Sequence, residues 1–308
     1  MVTSSNVSAR HGFALLLVLT ILAASANVGV EVILAGSSAA QATRNRLALT
    51  RAQWKAEGCV ELFRAAVGSA LRADSFGHNA WSRLDTIAPT VGLSGECRLI
   101  VQPSGITIDI DSLTEDQLRH ILTTEERSTV QIDSMIDAFG DWIDADTSVR
   151  RRGAERSWYT AAHRPGPRNG ALTSIQELRL VRGFETDDST ASLLGVESGR
   201  LIIDRAPLPL VGLLPGMTNE AITLIAGFRA AGQPVGDLAA LASRLTPASR
   251  ESLLSHYAQI VARTSPVPQW WTVRSENTQG EPAITAKIEV RLVRSGNEAA
   301  IVRYRAWP

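Results

Sequence analysis

Cysteine is nearly missing from this chain: Cys59 and Cys97 are the two it has, too few for a disulfide scaffold or a cysteine-rich zinc site, and enough for at most one bridge. Its five histidines include no H-E-x-x-H, and His78, His120, His163 and His256 share no spacing, so no histidine metal centre is signalled. Neither sign of charge is in excess. With 31 Lys+Arg against 31 Asp+Glu, nothing draws the whole chain to nucleic acid or an anionic membrane, and a histone-like or acidic disordered class is excluded. Lysine is limited to Lys55 and Lys287, arginine carrying the other positive charges. There is no G-x-S-x-G, no glycine-rich phosphate loop and no histidine identifiable as a partner for Cys59. No catalytic constellation emerges, and a non-enzymatic part of a larger machine is expected. What remains is a globular composition, 44% hydrophobic and 20% charged over 308 residues, sufficient for one large or two medium domains with a real core.

The amino terminus is the most informative stretch. No charged side chain occurs from residue 12 to residue 30, and the run opens Phe13-Ala14-Leu15-Leu16-Leu17-Val18-Leu19; a helix of this length nearly crosses a hydrocarbon core of about 30 Å. Arg10 and His11 precede it, which sets that flank in the cytoplasm and the bulk beyond the membrane, although Arg44, Arg46, Arg51 and Lys55 follow on the far side. Three readings compete. An ordinary secretory signal would be cut after Ala24-Ser25-Ala26 to release a protein starting at Asn27. A plain uncleaved anchor is the second, weakened by Ser25, Asn27, Gly29 and Glu31. In the third, that polar half lies against other subunits instead of lipid.

The third reading matches a family. Arg10-His11-Gly12-Phe13-Ala14-Leu15-Leu16 resembles the leader of type IV pilins and pseudopilins, in which a dedicated prepilin peptidase cuts after a glycine, here between Gly12 and Phe13. Most pilins carry glutamate at the fifth mature position; Leu17 stands there. In that it resembles the GspK minor pseudopilins of type II secretion, which typically lack the glutamate. A carboxylate in lipid is costly unless it meets a neighbour's amine, and a subunit at a filament end has no such neighbour.

Further along, the helical pattern continues to about Ala73, with Leu47, Trp54, Val60, Phe63, Val67 and Leu71 near helical spacing, and breaks at residues 74–79. Residues 97–102, a Pro103-Ser104-Gly105 turn and residues 106–111 predict a β-hairpin. Helices are predicted from Thr114, over residues 130–143 and over residues 174–181 up to Gly183, with residues 147–173 as a loop. More helices follow from residue 208 to residue 263, one opening at Thr246-Pro247. Alternating strands at residues 270–274, 283–294 and 299–304 close the chain.

The expected fold class is therefore α+β, a pilin-like long helix plus a small antiparallel sheet, interrupted by a large all-helical insertion. The expected boundaries are a leader at 1–12, a transmembrane and assembly helix at 13–35, a first α+β part at 36–112, the insertion at 113–263 and a second β part at 264–308. Within the insertion, Phe139-Gly140-Asp141-Trp142-Ile143-Asp144-Ala145-Asp146, then Gly153-Ala154-Glu155, Tyr159 and Ser174-Ile175-Gln176-Glu177-Leu178-Arg179-Leu180-Val181-Arg182-Gly183 closely resemble the D-W-I-D-x-D, G-A-E, Y and s-x-x-E-L-R-x-V-x-G series of the GspK family. A departure is Leu201-Ile202-Ile203-Asp204-Arg205-Ala206-Pro207, where the family has a V-N-x-N-T-A type turn. The resemblance implies a minor pseudopilin at the tip of the secretion pseudopilus, with an inner-membrane helix and a periplasmic bulk. Its implied partners are minor pseudopilins of the GspI, GspJ and GspH types, prepilin peptidase and secreted substrates.

Two site expectations go with it. Asp133, Asp137, Asp141 and Asp144 recur at helical spacing, where like charges repel. Calcium held by Asp137, Asp141, Asp144, Asp146 and Glu155 would neutralise them, as would the following Arg150, Arg151, Arg152 and Arg156. Cys59 on the helix and Cys97 on the first strand could meet as a disulfide in an oxidising compartment. The rival function is an exported DNA-binding or DNA-uptake protein, from the helix-hairpin-helix look of residues 213–222. Phosphate binding needs cations, none lies between Arg205 and Arg229, and no nucleic-acid partner is expected.

Overall fold

The computed structural model describes residues 6–74, 78–91, 98–123 and 126–307; Cys97 and residues 75–77 of the expected break lie outside the described residues. Helix α1 (Asn6–Ala73) is continuous for 68 residues, about 100 Å at 1.5 Å per residue. In chain order follow α2 (His78–Ser82), α3 (Leu84–Val91), β1 (Arg98–Pro103), β2 (Ile108–Asp109), α4 (Glu115–Leu122), α5 (Thr129–Ile143), α6 (Arg156–Ala161), a 3₁₀ helix (Ile175–Leu180), α7 (Asp188–Leu193) and β3 (Leu194–Gly195). Then come α8 (Leu208–Val211), α9 (Asn219–Ala230), α10 (Leu238–Ser243), α11 (Pro247–Ser255), α12 (Tyr257–Arg263), β4 (Trp270–Gln279), β5 (Ile284–Ser295) and β6 (Glu298–Trp307).

The two halves of α1 obey different rules. Between Phe13 and Leu34 every described side chain is exposed, and among the described residues α1 is the one helix apolar and long enough to cross a membrane. From Ala48 onward one face is buried through Ala52, Ala56, Val60, Phe63, Val67 and Leu71, the i, i+4 and i+3 rows that meet on one side of a helix. That stripe begins with alanines, whose short side chains let helix and sheet approach closely. Leu47 and Trp54, counted in the same helical spacing from the sequence, are exposed. They lie on the side of the helix away from that stripe, because each residue turns the helix by about 100° and both fall roughly half a turn from its centre.

The stripe packs on a four-stranded sheet in the order β1-β4-β5-β6, antiparallel throughout. Trp271 and Val273 of β4 and Ile288, Val290 and Leu292 of β5 share one core with Val60, Phe63, Val67 and Leu71. Two tryptophans tie in α2: Trp81 Nε1 donates to Pro268 O at 2.7 Å, and Trp271 Nε1 donates to Trp81 O at 2.8 Å.

The local hairpin is overturned. β1 pairs with β4, Val101 facing Val273, whereas β2 pairs in parallel with β3, Ile108 facing Leu194. The turn residues exist, but their backbone bonds lead elsewhere: Ser104 N donates to Trp270 O, Gly105 N to Ser198 O, and Ile202 N to Gly105 O. Gly105 takes φ of +80°, and a Cβ there would lie 2.2 Å from Arg200 O, so the chain passes into the helical region where only glycine fits. Turn chemistry announces a turn and not the partner; ten-residue β4 offers β1 a longer complementary edge than two-residue β2.

The helical region builds a second core running from Ile110 to Ile260. Capping boxes start α4, from Thr114 and Gln117, and α5, from Ser128 and Gln131, each satisfying two orphan amides. Three local expectations change here. The predicted loop 147–173 contains α6, six residues that are too short to register as a period. Ser174 does cap a helix, but of 3₁₀ type. Strand β3, which pairs in parallel with β2, also sits in a region expected to be purely helical. At the divergent turn, Leu201 N donates to Arg263 O and Asp204 Oδ1 accepts from Val235 N at 2.7 Å. Arg205 reaches across to the other core, pairing with Asp85 at 2.7 Å and lying over the Trp271 ring.

Candidate functional site

The motif series separated in sequence converges in space. Trp142, buried at the end of α5, meets the Tyr159 ring of α6 edge-on at 5.2 Å, and its Nε1 donates to Glu177 Oε1 at 3.2 Å. Glu177 Oε2 also accepts from Thr173 N at 3.2 Å. Tyr159 stacks edge-on with Trp158, and its hydroxyl accepts from Arg182 N at 3.1 Å. Arg182 closes the circle, its guanidinium over Trp158 at 5.0 Å and its Nη1 donating to Gly153 O. The D-W-I-D, G-A-E, Y and E-L-R series is thus one packed knot, and Trp142 is a core anchor. Glu177 and Arg182 carry roles that their motif letters alone did not assign. Gly153 is fixed by contact, since a Cβ there would stand 1.9 Å from Asp141 Oδ2.

The five expected metal ligands divide into two groups. Asp137 Oδ2 accepts from Arg152 N at 2.9 Å, and Asp141, wholly buried, accepts from Arg150 N at 3.1 Å. Both spend their oxygens holding the arginine loop. Asp133 is flanked by Arg119 at 2.6 Å and Arg152 at 3.2 Å, the pairing that the arginine run predicted. Asp146 Oδ1 accepts from Ser148 N, while Glu155 Oε2 accepts from Arg156 N at the start of α6. Two oxygens are left over: Asp144 Oδ1 and Glu155 Oε1 are buried and make no hydrogen bond. Burial, and then the neighbouring Asp141, Asp144 and Asp146, push the Glu155 carboxyl above its ordinary range; burial does the same to Asp141, partly offset by its backbone amides. Among the described residues, no three His, Cys, Asp or Glu side chains converge as a metal set.

Elsewhere, Phe13 is 71% exposed and Leu17 52% exposed on α1. Cys59 is engaged in a disulfide, with Cys97 outside the described residues. The α8–α9 hairpin is held by α11: Ser252 Oγ donates to Gly216 O, and Glu220 accepts from Thr246 N at 2.9 Å and Thr246 Oγ1 at 2.6 Å.

Comparison with protein families matches residues 99–193 to "Type II secretion system (T2SS), protein K", the stretch that contains the Trp142–Tyr159–Glu177 knot. The likeness to that family covers this stretch of the chain. No curated protein sequence matches it. Among solved structures, a chain of the GspK-GspI-GspJ complex from the enterotoxigenic Escherichia coli Type 2 Secretion System is similar at a TM-score of 0.60 and 15% identity, covering 86% of this chain and 99% of that one. At that identity the likeness is one of fold: a long helix, an antiparallel sheet and a helical domain between its strands.

Proposed function

We propose that this chain is a minor pseudopilin at the tip of the type II secretion pseudopilus, taking part in export of folded proteins across the outer membrane. The observation that carries the reading is α1, exposed and apolar over residues 13–34 and packed on the sheet from Ala48 onward. An exposed apolar face of that extent needs lipid or other helices to cover it. The helical region makes the subunit wide at the sheet end, so a subunit stacking beyond it is obstructed, whereas one packing on the exposed helix is not. The reading has residues 1–12 removed by prepilin peptidase between Gly12 and Phe13, the helix in the inner membrane and the bulk in the periplasm. Its partners are other minor pseudopilins, and its role is structural, with no catalytic group. Co-expression with the GspI-, GspJ- and GspH-type subunits tests it: a complex that survives detergent purification is expected, and a lone protein retained on DNA at moderate salt would favour the uptake alternative.

We also propose a calcium ion at the two open oxygens of Asp144 and Glu155, a cation that takes oxygen ligands and completes its shell with water. Bound there, it would offset the mutual repulsion of Glu155 with Asp144 and Asp146. The expected result is a higher Tm in calcium than in EDTA for the parent and no such difference in Glu155→Gln. Without calcium the sign reverses. Because the Glu155 carboxyl titrates above its usual 4.5, the native state binds more protons than the unfolded chain just above that pH, and stability falls as pH rises through the window. Glu155→Gln is expected to flatten that fall; an unchanged pH profile would contradict it.

The disulfide of Cys59 is proposed to join Cys97. The intact mass is expected two hydrogens short and restored by reductant, with Cys59→Ser freeing a thiol at Cys97; alkylation of Cys97 in the unreduced parent would refute the pairing.

A further inference from the structure

Strands β4, β5 and β6 turn a second, polar face away from α1, and on it the cross-strand register sets Arg303 opposite Arg291 and Arg305 opposite Glu289, with Arg274 on the other side of Glu289. Like charges directly opposite each other destabilise a sheet. The helical region supplies the remedy at Arg291 and Arg303. Glu197, just after β3, places one carboxylate 2.9 Å from Arg291 and 2.6 Å from Arg303, and it does so at φ of +59°, the left-handed conformation that non-glycine residues adopt at a cost. Burial alone would raise its carboxyl, but the hydrogen bonds and charges of the two arginines win and hold it below its ordinary range. The geometry demonstrates that a carboxylate seats between paired guanidinium groups on this face.

Positive charge remains after that. The cleft between this face and residues 172–176 and 194–197 has a volume of about 440 Å³, and four guanidinium groups there meet two carboxylates, Glu197 and Glu289. Arg274 Nη2 is paired with Glu289 at 2.8 Å, and Arg305, on the other side of Glu289, makes no ion pair among the described residues. We infer that the cleft binds an acidic peptide segment of another protein in extended form, its carboxylates engaging Arg305 and Arg274 beside the seat that Glu197 fills. The size argues for peptide: the volume lies in the range of about 300–1,000 Å³ usual for organic ligands, and a bare inorganic anion would leave most of it empty. The spacing agrees, since Arg303 and Arg305 stand two residues apart on one strand, the interval at which an extended peptide repeats its own side chains. This inference rests on the chemistry of the cleft and goes beyond the secretion reading.

The test uses the full chain in detergent and fluorescein-labelled hexaglutamate, read by anisotropy, with hexalysine as control and inorganic phosphate as competitor. Saturable hexaglutamate binding is expected, weakened about tenfold or more by Arg305→Gln combined with Arg274→Gln, as for the loss of charge-assisted bonds. Glu197→Gln, which withdraws the internal competitor, is expected to tighten binding, a gain that misfolding does not mimic. Absence of saturable binding, equal affinity in the Arg305→Gln and Arg274→Gln variant, or complete displacement by low millimolar phosphate would each overturn the proposal.

Discussion

Replacing Trp142 by alanine is expected to destabilise the helical region by about 3–5 kcal/mol, the cost of truncating a large buried aromatic, a large fraction of what holds a domain together. The side chain is 1% exposed and is the element that α5, α6 and the 3₁₀ helix share, through the Tyr159 ring and the carboxylate of Glu177. Its loss opens a cavity and strips one partner from Glu177. Trp142→Phe separates the two contributions: the ring contact with Tyr159 persists while the Nε1 bond is lost, for about 1 kcal/mol. Denaturant titration is the measurement. The Trp81–Trp271 pair in the other core serves as an internal reporter, and its transition is expected to move less than that of the helical region. A parent-like midpoint for Trp142→Ala would show that the knot is not what holds these segments.

Leu17→Glu is expected to cost most in assembly. Leu17 is exposed on α1, about 6 Å along the helix from Phe13, in the stretch that this account places in lipid and against other subunits. An acidic side chain at the centre of a membrane helix costs about 2.5–3.5 kcal/mol on insertion scales, less nearer the interface. If the subunit stands at the filament end, no neighbouring amine compensates. The yield of the minor-pseudopilin complex and the amount of secreted protein are both expected to drop. Unchanged levels of both would count against the terminal position of the helix, though not against the fold.

Long, regular features were legible in the amino-acid pattern. The end of α1 at Ala73, the helix start at Thr114 and the three closing strands each follow from a local rule that tertiary structure did not override. What the pattern mis-stated was partnership. Residues 98–103 are a strand, yet they join β4, some 170 positions away, because turn chemistry at Pro103-Ser104-Gly105 specifies a reversal and says nothing of competing edges. Leu47 and Trp54 have the hydrophobicity of a core stripe but lie on the opposite side of the helix, and Ala48, Ala52 and Ala56 do the packing. At the acidic set, spacing revealed repelling charges without revealing their solution: backbone amides and Arg152 serve Asp137, Arg150 serves Asp141, and only Asp144 and Glu155 keep buried open oxygens. The pairing on the outer face was not legible: Glu197, the counter-charge of Arg291 and Arg303, comes from a distant element that no local pattern links to β5 or β6.

The central claim is that this is a processed pseudopilin, and it is tested most directly by the mature amino-terminal residue, read by mass spectrometry of the membrane fraction from cells that contain prepilin peptidase. The account predicts Phe13, N-methylated, in the membrane. A soluble protein beginning at Asn27, or a membrane protein still beginning at Met1, would contradict it.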